Sequence, residues 1–309
     1  MIPSVSESKK SAAKISQFPE FTKLEVAHKK SIDEITSRFE PYSDFTFVNL
    51  FTWSLEGHTE VALHNGNLVV RLPDYMTGET IYSLLGDNKV DESIDRLLTL
   101  SDSLSLVPGV VATSIVKPSR YILTEDRDGD DYMYAIETIS CMPGIQLKKK
   151  RNKLNRFLKV FGDVVTTETL SNIDLDTAGE IRQVFDEWSL ACHKTPEESH
   201  AERIAIDRLV SSWNELGLQI MIARIDGKIC AFSVNEVIGN GYAVCHFEKA
   251  LPIHEGLYAF IIHYAAQVLE SQGVKRVNWE QDLGLPGLRQ AKTSYNPTGF
   301  LKKYSITLA

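Results

Sequence analysis

The stretch from Asn278 to Lys303 holds the densest set of side chains able to do chemistry. Asn278, Glu280 and Asp282 recur at every second position of an extended run that follows Gly273 and includes Val274, Val277 and Trp279. In a strand this spacing puts three polar groups, two of them acidic, on one face near the strand's end. Gly284, Pro286 and Gly287 then force a turn, and Arg289, Lys292, Lys302 and Lys303 follow it. Carboxylates at the carboxyl end of a strand, facing a cationic loop, are how α/β proteins build ligand sites. The plainer reading is a salt-bridge network that closes the C-terminus.

Composition bounds what such a site can serve. The chain has 309 residues, 43% hydrophobic and 24% charged, with a net charge of −8. That is ordinary for a globular protein, and the length favours two domains or one doubled domain. No run is as long and apolar as a membrane helix, and residues 1–14 lack the apolar core of a signal peptide, so the expected location is cytoplasmic. The acidic balance argues against a broad nucleic-acid surface but allows a local basic patch. Cys141, Cys192, Cys230 and Cys245 lie far apart without metal-ligand spacing and read as reduced core residues.

The elements that must position the site follow from periodicity. Residues 1–20 read as a flexible N-terminus. A helix is expected near Val26 to Phe39, a hairpin over Glu60 to Leu72 about Asn65-Gly66, and a helix from Asp91 to Leu104. A second hairpin is expected from Arg120 to Ile139. Its acidic turn, Asp126 to Asp131, places its glycine fourth rather than sixth, which departs from a calcium loop.

At Lys148 the composition changes to a dense basic run. Leu147, Leu154, Leu158 and Phe161 recur at helical intervals, so the run forms an amphipathic helix with Lys148, Arg151, Asn155 and Lys159 on one flank. A charge run is usually a solvated face, yet in an acidic chain this helix is also the expected dock for a phosphate-bearing substrate.

The second half is expected to hold helices over Leu175 to Ala191 and Ala201 to Leu216, then a hairpin about Asp226-Gly227. A third strand, Tyr242 to Leu251, leads into a buried helix, Leu257 to Glu270. Strand, helix and strand make a crossover whose two strands run parallel. On strict alternation, His246 and Glu248 share one face of their strand and Lys249 takes the other, unless a bulge intervenes. His246 itself reads as a hydrogen-bonded core histidine.

An antiparallel meander, a crossover helix and a parallel strand is the order of the GNAT acyltransferase fold. His246-Phe247-Glu248-Lys249, Pro252 with Gly256, Asp282 to Leu288, Lys292 to Pro297 and Lys303-Tyr304 resemble the C-terminal domain of phosphatidylglycerol lysyltransferases. Upstream, Arg151 to Arg156 is similar to that family's basic helix, so the resemblance reaches over roughly half the chain. It implies an α+β fold of two fused GNAT-like units, each a mixed sheet flanked by helices, here divided as residues 21–165 and 166–309. It also implies transfer of an aminoacyl group from aminoacyl-tRNA, as co-substrate and without a cofactor or metal, to a hydroxyl or amine. Membrane-modifying members carry a multi-span region, and no such span occurs in these residues, which leaves the acceptor open between a small molecule, a lipid head group and a peptide. Where the family's lipid enzymes read Leu-Gly-Met-Ala-Pro-Leu, this chain has Leu-Gly-Leu-Pro-Gly-Leu, a further departure at the acceptor side.

Under that resemblance Glu248, Glu280 and Asp282 are the candidate bases, or hold the donor's amino group. Tyr295, Lys292 and Arg289 donate to developing charge, since acyl transfer must stabilise an oxyanion and protonate a leaving oxygen. Arg151, Asn155, Arg156, Lys249, Lys302 and Lys303 are the candidates for binding the substrate and its phosphates. Two other readings use the same fold. One is an acyl-CoA N-acyltransferase, weakened by the single glycine and missing arginine-led repeat in Lys249 to Gly256. The other is a non-catalytic binding module.

Overall fold

Two clusters of opposite charge, read separately above, pull the halves of the chain together. The computed structural model describes residues 13–54, 57–74 and 77–309. In it the acidic turn at 126–131 meets the cationic tail: Arg289 pairs with Asp128, and the Lys303 ammonium lies 2.8 Å from Asp131. The expected hairpin at 120–139 therefore does not form. Its strands, β6 (Tyr121–Glu125) and β7 (Asp131–Ala135), enter different sheets.

An antiparallel four-stranded sheet takes the N-terminal segment, in the order β1 (Thr22–Lys23), β2 (Glu60–His64), β3 (Asn67–Pro73) and β4 (Thr80–Leu85). The Asn65-Gly66 hairpin forms as expected, with both residues at positive φ. Of the segment expected to be flexible, residues 1–12 lie outside the described residues. Residues 16–18 are pinned to Leu63 by main-chain hydrogen bonds.

A small sheet places β14 (Lys303–Leu308) between β5 (Leu104–Pro108) and β6. The main sheet has seven strands in the order β13 (Gly299–Leu301), β7, β12 (Arg276–Asn278), β11 (Tyr242–Ala250), β10 (Lys228–Ile238), β9 (Gln219–Ile225) and β8 (Val165–Leu170). Only β11 and β12 pair in parallel, as the crossover predicts. The division expected at residue 165 is crossed twice, since β7 joins the main sheet and β14 returns to strands of the N-terminal half.

Helices cover both faces of the main sheet. On one lie α5 (Ile136–Cys141), α6 (Lys148–Phe161) and α10 (Leu257–Ser271); α6 buries Leu154 and Phe157, while Leu158, expected on its apolar face, is exposed. On the other lie α2 (Phe47–Thr52), α7 (Leu175–Ala191) and α8 (Pro196–Ser211). The remaining helices are α1 (Lys29–Thr36), α3 (Val90–Leu97), α4 (Gly109–Thr113), α9 (Trp213–Leu216) and α11 (Pro286–Thr293). The helix expected to reach Leu104 ends at Leu97, because Leu104 opens β5.

Close packing of α6 on α10 depends on Gly256, which caps α10 at φ 91°. A Cβ there would stand 2.5 Å from the Lys153 carbonyl oxygen, closer than any side chain tolerates. All four cysteines are free, but only Cys230 and Cys245 are buried; Cys141 and Cys192, expected in the core, are exposed. No helix among the described residues is long and apolar enough to cross a membrane.

Candidate active site

The site begins where two parallel strands part. β11 pairs with β12 only from Tyr242 to Val244, opposite Arg276 to Asn278. Beyond that β11 runs on to Ala250, while the other chain turns toward β7: Trp279 donates to the Tyr132 carbonyl, and Tyr132 donates to that of Glu280. Glu280 adopts φ 57°, so the strand expected to carry Asn278, Glu280 and Asp282 on one face stops at Asn278, and the three diverge.

The parting leaves main-chain carbonyls without a strand partner. The Lys292 ammonium fills this gap, 2.5 Å from the carbonyl oxygens of both Trp279 and Gln281. Its own carbonyl accepts from the Tyr134 hydroxyl at 2.7 Å, which ties α11 to β7. Burial lowers Lys292 to about 8, against the opposing pull of Glu280.

Glu248 enters the same opening because of a bulge. In the β10–β11 register Val234 faces Phe247 and Asn235 faces Cys245, so His246 is an extra residue. Glu248 lies opposite Ser233 and shares a face with Cys245, three residues away. The expectation that His246 and Glu248 share a face is thereby overturned. His246 turns toward α2, and Lys249 bonds Glu202 of α8 and lies over Trp188 of α7. Burial raises the Glu248 carboxyl to about 8, although a Ser233 hydrogen bond and the charges of Lys249 and Lys292 favour the carboxylate. Tyr295 is 4% exposed and remains a neutral phenol, its ionisation opposed by burial and then by Glu248. Its ring meets the edge of Trp279 at 5.1 Å and carries the Lys150 ammonium 4.0 Å above it.

Behind the opening runs a line of alternating charges. Glu280 accepts from the Asn49 amide at 2.7 Å and lies 3.2 Å from His246 Nδ1, while His246 Nε2 lies 3.1 Å from Glu236. Glu236 in turn pairs with Lys29, and Lys29 with Asp33. Burial alone would lower His246, but the hydrogen bonds it donates to two carboxylates outweigh it and raise the imidazole to about 9. His246 is thus the bonded core histidine expected, held as a cation at neutral pH.

The other predicted site residues go elsewhere. Asp282 is enclosed, accepting from Arg289, from the Tyr132 hydroxyl and from the Gly284 amide. Burial opposes its charge, yet these bonds hold it down at about 2, so it is a fixed anion rather than a base. Arg289 is occupied by Asp282 and Asp128. Lys303, expected to hold phosphate, is fully buried between Asp131 and Asp44, and Lys302 pairs with Glu125 and Asp130. Arg151 donates to the carbonyls of Met142 and Gly144, Arg156 pairs with Glu255, and Asn155 is exposed on α6. Lys150, Ser233, Asn49 and Asp131 belong to the site's surroundings and were not singled out. Only Lys150 had a signal, its place in the basic run. Among the described residues no cluster of acidic, His or Cys side chains is placed to hold a metal.

Residues 36–307 match the family model described as phosphatidylglycerol lysyltransferase, C-terminal. The crystal structure of a conserved protein of unknown function from Bacteroides thetaiotaomicron is similar, with 28% identity, a TM-score of 0.82, and coverage of 94% of this chain and 99% of that one. The structure of L-PGS from Bacillus licheniformis shares the fold at 15% identity and a TM-score of 0.62, covering 96% and 94%. An uncharacterised protein of Mycoplasmoides gallisepticum is 20% identical over 177 residues, 57% of this chain and 55% of that protein, so the match spans about half the length of this curated relative.

Proposed function

Because this chain belongs to the phosphatidylglycerol lysyltransferase C-terminal family, with its GNAT-like α+β fold, we propose that it moves an aminoacyl group from aminoacyl-tRNA to a hydroxyl or amine. The reaction centre is the opening between β11 and residues 279–282. Family and fold support a transferase in the coarse sense; donor and acceptor are the finer part of the proposal.

One observation carries the assignment. A carboxyl and an ammonium, Glu248 and Lys292, both partly buried, share the opening, where the Lys292 charge acts on Glu248 and desolvation brings both to about 8 from opposite sides. Groups so tuned exchange protons near neutral pH. With Glu248 raised to about 8, a minor fraction is ionised at pH 7. That fraction takes the proton of the attacking acceptor, and the acid so formed returns it to the ribose oxygen that leaves. An ammonium has three donors. Two of those of Lys292 are held by Trp279 and Gln281, which fixes its position and leaves one for the oxyanion. The Tyr295 phenol, which stays uncharged, is a second donor. Glu280, held by Asn49 and His246, supplies negative charge for the donor's amino group.

Against the acyl-CoA reading stands the packing at the start of α10. There such enzymes hold a pyrophosphate on main-chain amides, whereas here the main chain of α6 lies against Gly256. The test uses the purified protein with tRNA charged with a labelled amino acid and a panel of hydroxyl and amine acceptors. Loss of the ester above the spontaneous rate, slowed about a hundredfold or more by Glu248→Gln, supports the proposal. Turnover of acyl-CoA with aminoacyl-tRNA left intact overturns it.

A further inference from the structure

The basic helix does meet the site, through a residue the flank assignment passed over. Lys150 stands in the first turn of α6 and is half-buried, unlike its neighbours Lys148 and Lys149, which are exposed. Its ammonium lies 4.0 Å from the centre of the Tyr295 ring. That ring packs on Trp279, whose carbonyl holds Lys292. Among the described residues no carboxylate pairs with Lys150. The other cations about the site each have one or a carbonyl: Lys292 the carbonyls of Trp279 and Gln281, Lys249 Glu202, Lys303 Asp131 and Asp44, and Arg289 Asp282.

A partly desolvated ammonium without a counter-ion is costly, and the aromatic face beneath it offsets only part of that cost. None of the described residues supplies that anion, which leaves the place open to a ligand's. Burial, with the charge of Lys153, lowers Lys150 to about 8, and an anion at the ammonium would reverse that shift. Aminoacyl-tRNA carries the phosphate of its terminal nucleotide one ribose away from the acyl carbon, whereas CoA carries its pyrophosphate at the far end of the pantetheine arm.

We infer that Lys150 is the anchoring cation for a phosphate group of the acyl donor, at the mouth of the opening between β11 and residues 279–282. The inference rests on the transferase reading. It gives Lys150 the role expected for Arg151 and Arg156; Arg151 is held by two carbonyls, and Arg156 pairs with Glu255 at the surface. Tyr295 then serves both as the floor beneath the bound phosphate's cation and as a wall of the reaction centre.

The test does not depend on turnover. The whole protein is acetylated with trace acetic anhydride, and the rates at Lys150 and Lys149 are read by peptide mass spectrometry. The measurement is made with no addition, with inorganic pyrophosphate, with CoA, and with a short single-stranded RNA. At a ligand concentration ten times the dissociation constant, Lys150 should acetylate about tenfold more slowly, with Lys149 changed by less than about twofold. Protection by RNA supports the inference and the tRNA donor together, whereas protection by CoA supports the inference and points to the other donor. Equal protection of Lys149 overturns the inference, since the effect is then diffuse charge. Protection by pyrophosphate alone, or by none of the three, overturns it as well. Because catalysis is not measured, failure here leaves the separate fate of the transferase reading to the aminoacyl-tRNA assay.

Discussion

The Lys292 ammonium and the Glu248 carboxyl face one opening from two different elements, α11 and β11, and neither keeps its ordinary proton affinity. Burial lowers the first and raises the second to about the same value. The opening exists because β11 and β12 stay paired for only three residues each.

From this pair follows a narrow pH–rate profile. If ionised Glu248 accepts a proton while charged Lys292 stabilises the oxyanion, kcat/KM rises toward pH 8 and falls above it. Glu248→Gln should remove the rising limb along with most of the rate, and Lys292→Gln the falling limb. A profile flat from pH 6 to 10, read by initial rates, is the contrary result.

His246 makes a prediction about stability. Its folded value, about 9, lies above the ordinary 6.5. Its contribution is therefore fully present below pH 6.5 and is lost as pH rises through 9. The difference in unfolding free energy between the protein and His246→Gln should shrink across that window, by about 3 kcal/mol. Urea unfolding at pH 6 and pH 9.5 measures it; a difference that stays constant contradicts the assignment of a buried imidazolium.

Lys303 is the structural counterpart of a catalytic lysine. It is fully buried between Asp131 and Asp44, and Asp131 also accepts from Ser43 and Asn278. Removing one partner of such a group strands the other charges. Lys303→Met should cost about 3–5 kcal/mol in thermal or urea unfolding, and adding Asp44→Asn should recover part of the loss. A loss below about 1 kcal/mol, the range of exposed pairs, would show that the triad is not buried as described.

Gly256 tests the contact between the basic helix and α10. Gly256→Ala combines positive φ with a Cβ 2.5 Å from the Lys153 carbonyl oxygen, and should destabilise by about 2 kcal/mol. At Gly227 φ is 81° and nothing lies within 4 Å, so Gly227→Ala should cost only about 1 kcal/mol of backbone strain. Equal urea midpoints for the two variants would remove the case for close packing at α6.

Local signals were legible wherever one stretch of chain decides its own geometry. The Asn65-Gly66 and Asp226-Gly227 hairpins, the basic amphipathic helix, the buried helix α10 and the parallel pairing of its flanking strands all follow from short-range pattern. Glu248, Lys292 and Tyr295 could be chosen as chemically able, and the family resemblance named the fold.

What the sequence could not determine was which charge neutralises which. The acidic turn at 126–131 read as a hairpin and the tail cations as phosphate binders, yet Asp131 encloses Lys303 across more than a hundred and fifty residues. Strand alternation put His246 and Glu248 on one face until the β10–β11 register inserted a bulge between them. In both cases the reason is the same. Side-chain direction and proton affinity are set by neighbours distant in the chain, and a local pattern carries no information about who those neighbours are.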